Sequence, residues 1–414
     1  MRTLESSVTR TRETAYVPVV DGFRGLAVLW IILGHVRWRL QAAPPTDVDP
    51  LSYIFTASYF GVDLLFVVSG FVLFLPAVVN NGSLGRTKTY AIRRAARIVP
   101  AFYAAMVLSY IVALKLNGGA RGGAGAWLSH ALFLSAHAHP REDIGFGVNS
   151  PIWTMSVEVI FYALLPLVAT WYHRHPFAGL GVAIGLTEGW HALTNRLPDV
   201  IQGMNIHWTT SSITDAQDRM AHAFPGFMTQ FAVGMTAAWI YSRVRSQPET
   251  DETRRLFPAV ALVSFLGILA IAGVRGWEVA HGHEGLFDHW TRTLDRSLLF
   301  GALVCATALS PRWVGWPVGN DASRFTGTVC YGAYLSHLPL IYLLIPALGL
   351  DPGDAGTTDL FVLAAAVVPL AFAVGVVSYT FLEQPVRQLV RRRKDVRRQP
   401  ARTLRPVALA GARG

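Results

Sequence analysis

Arg24 and His35 lie eleven residues apart in the apolar run DGFRGLAVLWIILGHV. At 100° per residue that spacing is about three turns plus 20°, so on a helix both side chains share one face, about 16 Å apart along the axis. One face then offers a permanent cation near its start and a titratable base near its end. An imidazole so placed can take a proton from a reacting group or stand in a proton relay. The plain alternative is a snorkelling arginine and an interfacial histidine that only hydrogen-bonds.

Other polar residues interrupt apolar runs in the same way. Asp63, in FGVDLLFVVSGF, lies about two turns in from the outer end of the second run, near residue 57, which follows the first run after a short connection. Two antiparallel neighbours would bring Asp63 to the depth of His35, where a carboxylate accepting from one imidazole nitrogen leaves the other as the base. Asp63 reads equally well as a solvated helix-end residue. Ser69 and Gly70 suit close helix packing; no base is evident beside Ser69 to make it a nucleophile. Arg94 and Arg97, in YAIRRAARIVP, are three apart and share a helix face, a pairing that suits phosphate groups but also serves as a topology signal. Glu158 lies in PIWTMSVEVIFYALLP with Tyr162 one turn along the same face, and it needs a partner in an apolar helix; it reads as a residue that organises the site or binds the acceptor, or equally as half of a structural salt bridge. Tyr331, Tyr334 and His337, in VCYGAYLSHLPLI, are spaced by three along one stripe. Glu383, in SYTFLEQPVR, reads as a structural partner for Arg387.

The elements that must position these residues are membrane helices. Hydrophobic residues make up 52% of 414, charged residues 15%, and mean hydropathy is +0.36. Soluble domains carry roughly a quarter charged residues, so this composition excludes disorder and most soluble folds. The net charge of +10 follows from cytoplasmic loops rather than nucleic-acid binding. Cys305 and Cys330 define neither a disulfide framework nor a zinc site, and no metal site is expected. A membrane helix takes about 20 apolar residues, which predicts an all-α polytopic protein with ten spans. These lie near 18–38, 57–79, 98–116, 154–172, 178–193, 224–242, 257–274, 295–310, 328–349 and 358–382. The run at 125–136 is too short to cross and reads as a re-entrant or interfacial piece.

Charge tests the count. With the N-terminus inside, the inner loops hold Arg86, Lys88, Arg93, Arg94, Arg97, His173, Arg174, Arg243, Arg245, Arg254, Arg255, Arg312 and Arg324, and the tail adds seven more cations from Arg387 to Arg398. The outer loops hold Asp47, Asp49, Glu142, Asp143, Asp199, Asp215, Asp218, Glu284, Asp288, Asp351 and Asp354. That bias places both termini in the cytoplasm. The first span is preceded by basic residues and followed by Ala42-Ala43, yet Asp21, Arg24 and His35 within it argue against a cleaved signal. Residues 1–17 then form a cytoplasmic segment, 18–385 the membrane domain and 386–414 a basic, disordered tail that lies on anionic lipid. Trp208, Trp277 and Trp290 in outer loops read as interfacial anchors or as platforms for sugar rings.

Taken in order, the Arg24–His35 spacing, FGVDLLFVVSGF, Arg94/Arg97, WTMSVEVIFYALLP, YGAYLSHLP and SYTFLEQPVR resemble the acyltransferase 3 family of membrane-bound acyltransferases. The resemblance covers nearly the whole chain, although 175–320 carries no matching motif. It implies transfer of an acyl group, often acetyl, from cytoplasmic acyl-coenzyme A to a hydroxyl of a glycan, glycolipid or glycosylated metabolite. It implies His35 as the essential catalytic residue and matches Arg24, Arg94 and Arg97 to the family's functional arginines; on the spacing above, these arginines would bind acyl-coenzyme A and Asp63 would orient His35. Glu158 would bind or position the acceptor, and Tyr331, Tyr334 and His337 would line the site. No tightly bound cofactor is implied, and the expected partners are acyl-coenzyme A, a sugar-containing acceptor and the lipids of the cell membrane. His35 would act as a general base or as an acyl carrier. Some members append an extracytoplasmic domain; none is evident here, so the expectation is that the chain completes transfer itself or hands on to a partner. The rival reading is a proton-coupled transporter with His35 and Asp63 as its relay, weakened by the lack of two related halves.

Overall fold

The computed structural model describes residues 16–40, 57–117, 123–138, 141–204, 206, 208–281 and 293–390. Met1–Ala15, Asp47, Asp49, the Ala42-Ala43 pair, Glu284, Asp288, Trp290 and the tail cations from Arg391 onward lie outside the described residues. In lipid every backbone polar group must be satisfied within the segment, so apolar stretches of this length become helices. In chain order they are α1 (Pro18–Leu40), α2 (Phe60–Val79), α3 (Thr87–Asn117), α4 (Gly123–Ala131), α5 (Trp153–Arg174), α6 (Pro176–Asn195) and α7 (Thr210–Ala221). There follow α8 (Met228–Arg245), α9 (Asp251–Ala280), α10 (Leu294–Leu309), α11 (Arg312–Gly319), α12 (Asp321–Ala347) and α13 (Thr357–Ser378), which runs on through a π-turn at Tyr379–Glu383.

Among the described residues, seven helices are long and apolar enough to cross a bilayer, and the pair α10–α11, bent by 116°, makes up to eight if it counts as one span. The expected fifth and sixth spans are both helices, α6 and α8, but not of that apolar length. Their polar residues explain the shortfall: α6 holds Thr187, Glu188, His191 and Thr194, and α8 holds Thr229, Gln230 and Thr236. Thr229 and Gln230 are fully buried in the protein rather than turned to lipid. The 125–136 run breaks into α4 and a turn at Ser135–Ala138, too short to span. Helix α3 starts at Thr87, eleven residues before the expected span, so Arg93, Arg94 and Arg97 project from a helix rather than a loop.

Helices α2 and α12 are buried for most of their lengths, whereas α9 turns Leu262, Val263, Phe265 and Leu266 outward, a continuous apolar surface that water would not tolerate. Small residues set how closely the helices cross. A Cβ on Gly234 of α8 would sit 1.9 Å from the Val67 carbonyl oxygen of α2, and one on Gly327 of α12 would sit 1.9 Å from the Asp21 carbonyl oxygen of α1. Gly234→Leu is therefore expected to force α2 and α8 apart, at a cost of about 1–3 kcal/mol; thermal unfolding in detergent measures it.

The α1–α12 crossing fixes the register of the site. Gly25 of α1 packs against Gly327 of α12. Further along, the His35 ring meets His337, and the Arg39 guanidinium lies 4.1 Å from the Tyr342 ring centroid. The two helices thus run parallel and in step. At the far end the Gly353 N–H donates to the Leu40 carbonyl. At the near end Tyr16 links Asp21 and Arg324.

Candidate active site

His35 projects from the last third of α1 and is half-buried. Its Nδ1 lies 2.8 Å from the Ile31 carbonyl oxygen. A carbonyl only accepts, so Nδ1 carries the proton and Nε2 is the nitrogen with a lone pair. His337 of α12 stands beside it, fully buried, with ring centroids 5.0 Å apart and His337 Nε2 3.4 Å from His35 Nδ1. The stripe expected on α12 is thereby real: Tyr331, Tyr334 and His337 all turn into the protein.

On the Arg24 side of the pair, a narrow cavity of about 40 Å³ runs between α1, α2, α5 and α12. Arg24, Ser69, Glu158, Tyr331 and Tyr334 line it. Tyr334 closes the end nearer the histidines: its hydroxyl donates to the Pro151 carbonyl, and its own carbonyl accepts from His337 Nδ1. Tyr331 donates to the Ile98 carbonyl of α3. The Glu158 Oε1 atom accepts from Ser69 at 3.1 Å and from Tyr162 at 2.5 Å. Glu158 and Arg24 interact electrostatically across this space. Glu158 therefore organises the Arg24 end and does not reach His35. Ser69, expected only to pack, supplies a hydrogen bond to that carboxylate, while Gly70 packs closely against the Phe231 backbone as expected.

Beyond Arg24 lies a second pocket of about 320 Å³, lined by Arg93, Arg94, Ala96, Arg97, Arg387 and Val390. Four of its six lining residues are arginines and none is acidic. Arg97 lies within electrostatic reach of Arg24, Arg94 and Arg387, so the three expected arginines and Arg387 form one basic cluster. The Arg94 Nε is buried without a hydrogen-bond partner. Glu383 accepts from Ser378 at 3.4 Å and interacts electrostatically with Arg97, Arg387 and Arg24. Both cysteines are free and buried.

Asp63 departs from expectation. It is 2% exposed, and its carboxylate is held by the Arg296 Nε at 2.5 Å and by the Gln230 side-chain amide at 2.8 Å. It does not orient His35. The reason is helix register. Gly61 packs against Ala27 and Ile31. His35 lies four residues beyond Ile31, about 6 Å one way, and Asp63 two residues beyond Gly61, about 3 Å the other way, an offset of roughly 9 Å. Arg296 also stacks near the Tyr59 and Phe60 rings, 5.0 and 4.8 Å from their centroids. Sequence reasoning passed over Arg296 and Gln230; an arginine and a glutamine inside apolar helices were the available signal.

The arginine cluster comes from α1, α3 and the segment after α13, the narrow cavity lies between α1, α2, α5 and α12, and His35 stands further along α1 outside the cavity's lining, so the site draws on helices from both ends of the chain. The acyltransferase domain of the acyltransferase 3 family matches residues 17–380. The chain belongs to that family. Among curated relatives it is similar to the peptidoglycan O-acetyltransferase OatA of Listeria monocytogenes, 25% identical over 90% of this chain and 56% of the relative. It is similar to the putative peptidoglycan O-acetyltransferase YrhL of Bacillus subtilis, 23% identical over 91% of this chain and 56% of the relative. The acyltransferase MdmB of Streptomyces mycarofaciens is 28% identical over 38% of this chain and 39% of its own length. The chain thus spans about half the length of the first two relatives. No solved structure matches it.

Proposed function

We propose that this acyltransferase 3 chain moves an acetyl or other short acyl group from cytoplasmic acyl-coenzyme A to a hydroxyl of a glycan, glycolipid or glycosylated metabolite. The observation that carries the reading is the order basic pocket, narrow cavity, histidine. Coenzyme A has phosphates at one end and a thioester at the end of a long thin arm. Arg94, Arg97 and Arg387, with the unpartnered Arg94 Nε among their donors, suit the phosphates. The arm lies past Arg24 and Glu158, and the thioester comes to His35. In the direct mechanism the His35 Nε2 takes the acceptor's hydroxyl proton as its oxygen attacks the thioester carbon. The carbon–sulfur bond breaks, and the imidazolium returns the proton to the departing thiolate. In the carrier mechanism Nε2 attacks the thioester carbon first and the coenzyme A thiolate leaves; the acceptor hydroxyl then attacks the acyl-imidazole, the carbon–nitrogen bond breaks, and the hydroxyl proton passes to the departing ring nitrogen or the thiolate.

The same reading gives ten crossings of the cell membrane with both termini in the cytoplasm. Arg243, Arg245, Arg254 and Arg255 then sit with the basic pocket, and Asp351 and Asp354 on the opposite side. The names of the two relatives favour a surface polysaccharide as acceptor. The proton-carrier alternative loses ground, because Asp63 is neutralised by Arg296 and cannot relay with His35.

The test is a mass comparison of surface glycans from cells with and without the gene, paired with labelled acetyl-coenzyme A supplied to the purified chain in vesicles. A lost acyl increment and label on the same glycan support the reading; vesicle counterflow with no thiol release overturns it. Arg94→Ala and Arg97→Ala are each expected to raise the donor's KM about tenfold or more, since a hydrogen bond to a charged group contributes about 1.5–3 kcal/mol. The acceptor's KM should stay nearly unchanged. Equal effects on both substrates would point to folding damage instead.

A further inference from the structure

His337 has no place in the mechanism just described, yet it is the polar side chain packed directly behind the base. It is fully buried and arrives from a helix 302 residues away in sequence. Its protonation follows from its neighbours. His337 Nδ1 faces the Tyr334 carbonyl oxygen at 2.5 Å, and a carbonyl cannot donate, so that nitrogen carries the proton. In the neutral ring Nε2 is then the acceptor. It points at His35 Nδ1, 3.4 Å away. His35 Nδ1 in turn faces two acceptors, the Ile31 carbonyl oxygen and this nitrogen.

We infer that His337 is a positioning residue for His35: a neutral imidazole that accepts from Nδ1, holds the ring with Nε2 toward the reacting groups, and shares the positive charge that forms when His35 is protonated. This is the task sequence reasoning gave to Asp63. A carboxylate in a membrane interior is costly unless fully paired, whereas a neutral imidazole supplies an acceptor without a net charge. The α1–α12 crossing delivers it: His35 is ten residues beyond Gly25 and His337 ten beyond Gly327, so the close approach of the glycines carries through to the rings. The Ile31 carbonyl alone fixes which nitrogen bears the proton. It lies one turn below on the same helix and leaves the ring's tilt open, and a second acceptor from another helix removes that freedom. The inference rests on His35 being the base.

Two substitutions separate positioning from packing. His337→Phe keeps ring volume and removes the acceptor; His337→Gln loses ring shape but keeps a carbonyl oxygen near the place of Nε2. Positioning predicts that the Phe variant loses kcat by about 10²-fold, the scale of a small misplacement of a reacting group, with the donor's KM unchanged. The Gln variant should recover most of that loss. A packing role predicts the reverse order. A spectroscopic readout needs no activity. In membranes of the 15N-histidine-labelled wild-type chain, the His35 signals, identified by their loss in His35→Ala, should show protonated Nδ1 and unprotonated Nε2. The Nδ1 proton should correlate through space with the unprotonated nitrogen of His337. Absence of that correlation, or a Phe variant as fast as wild type, overturns the inference. If the wild-type chain transfers no acyl group, the acyltransferase reading fails, while the correlation still decides whether the two rings are paired.

Discussion

His35→Ala is expected to lower acyl transfer and thiol release by about 10³-fold, the middle of the range for removing a positioned base. The chain should remain folded, because the ring is half-buried and its removal strands no buried charge. Donor binding should remain too, because Arg24 lies about 16 Å down the helix and the basic pocket lies beyond it. Equilibrium binding of coenzyme A to the variant checks this: unchanged affinity with lost turnover assigns His35 to the chemistry rather than to the donor site. The same experiment divides the two mechanisms. With acetyl-coenzyme A, labelled free coenzyme A and no acceptor, an acyl-histidine carrier exchanges label into the acetyl-coenzyme A pool through reversible acyl transfer to the ring; direct attack gives no exchange. Undiminished transfer by the Ala variant would end the proposal.

The second large effect concerns stability. Asp63 and Arg296 form an ion pair with each side chain at most 2% exposed. Removing one partner of such a pair leaves an uncompensated buried charge and costs about 3–5 kcal/mol. Asp63→Ala and Arg296→Ala should each lower the unfolding temperature in detergent by about 3–6 °C. The double substitution Asp63→Leu with Arg296→Met should recover most of it, because an apolar pair of similar volume is often neutral or stabilising. Activity should follow the amount of folded protein. An Asp63→Ala chain with normal stability and no turnover would return Asp63 to the chemistry and contradict the brace described here.

Much of the site was legible before the fold. The eleven-residue spacing of Arg24 and His35, the three-residue spacing of Arg94 and Arg97, and the Tyr331–Tyr334–His337 stripe are properties of a single helix. Helix geometry is fixed at 3.6 residues per turn whatever surrounds it. Glu158 and Tyr162 were placed on one face for the same reason, and the structure joins them by a hydrogen bond. Residues 175–320, where no motif was recognised, turned out to carry both partners of Asp63, Gln230 and Arg296. Nothing local marked them as partners, because they lie 167 and 233 residues from Asp63 in sequence.

The sequence by itself determined an all-helical chain of long apolar helices, a face of the first helix carrying Arg24 and His35, and the shared face of Arg94 and Arg97, since hydropathy and spacing within a helix decide those. Only the tertiary structure decided what stands behind His35. A contact between helices depends on axial offset and crossing geometry. These are set by where glycines let backbones touch: a roughly 9 Å slip between α1 and α2 sends Asp63 to Arg296, and the in-step crossing of α1 with α12 sends His337 to His35.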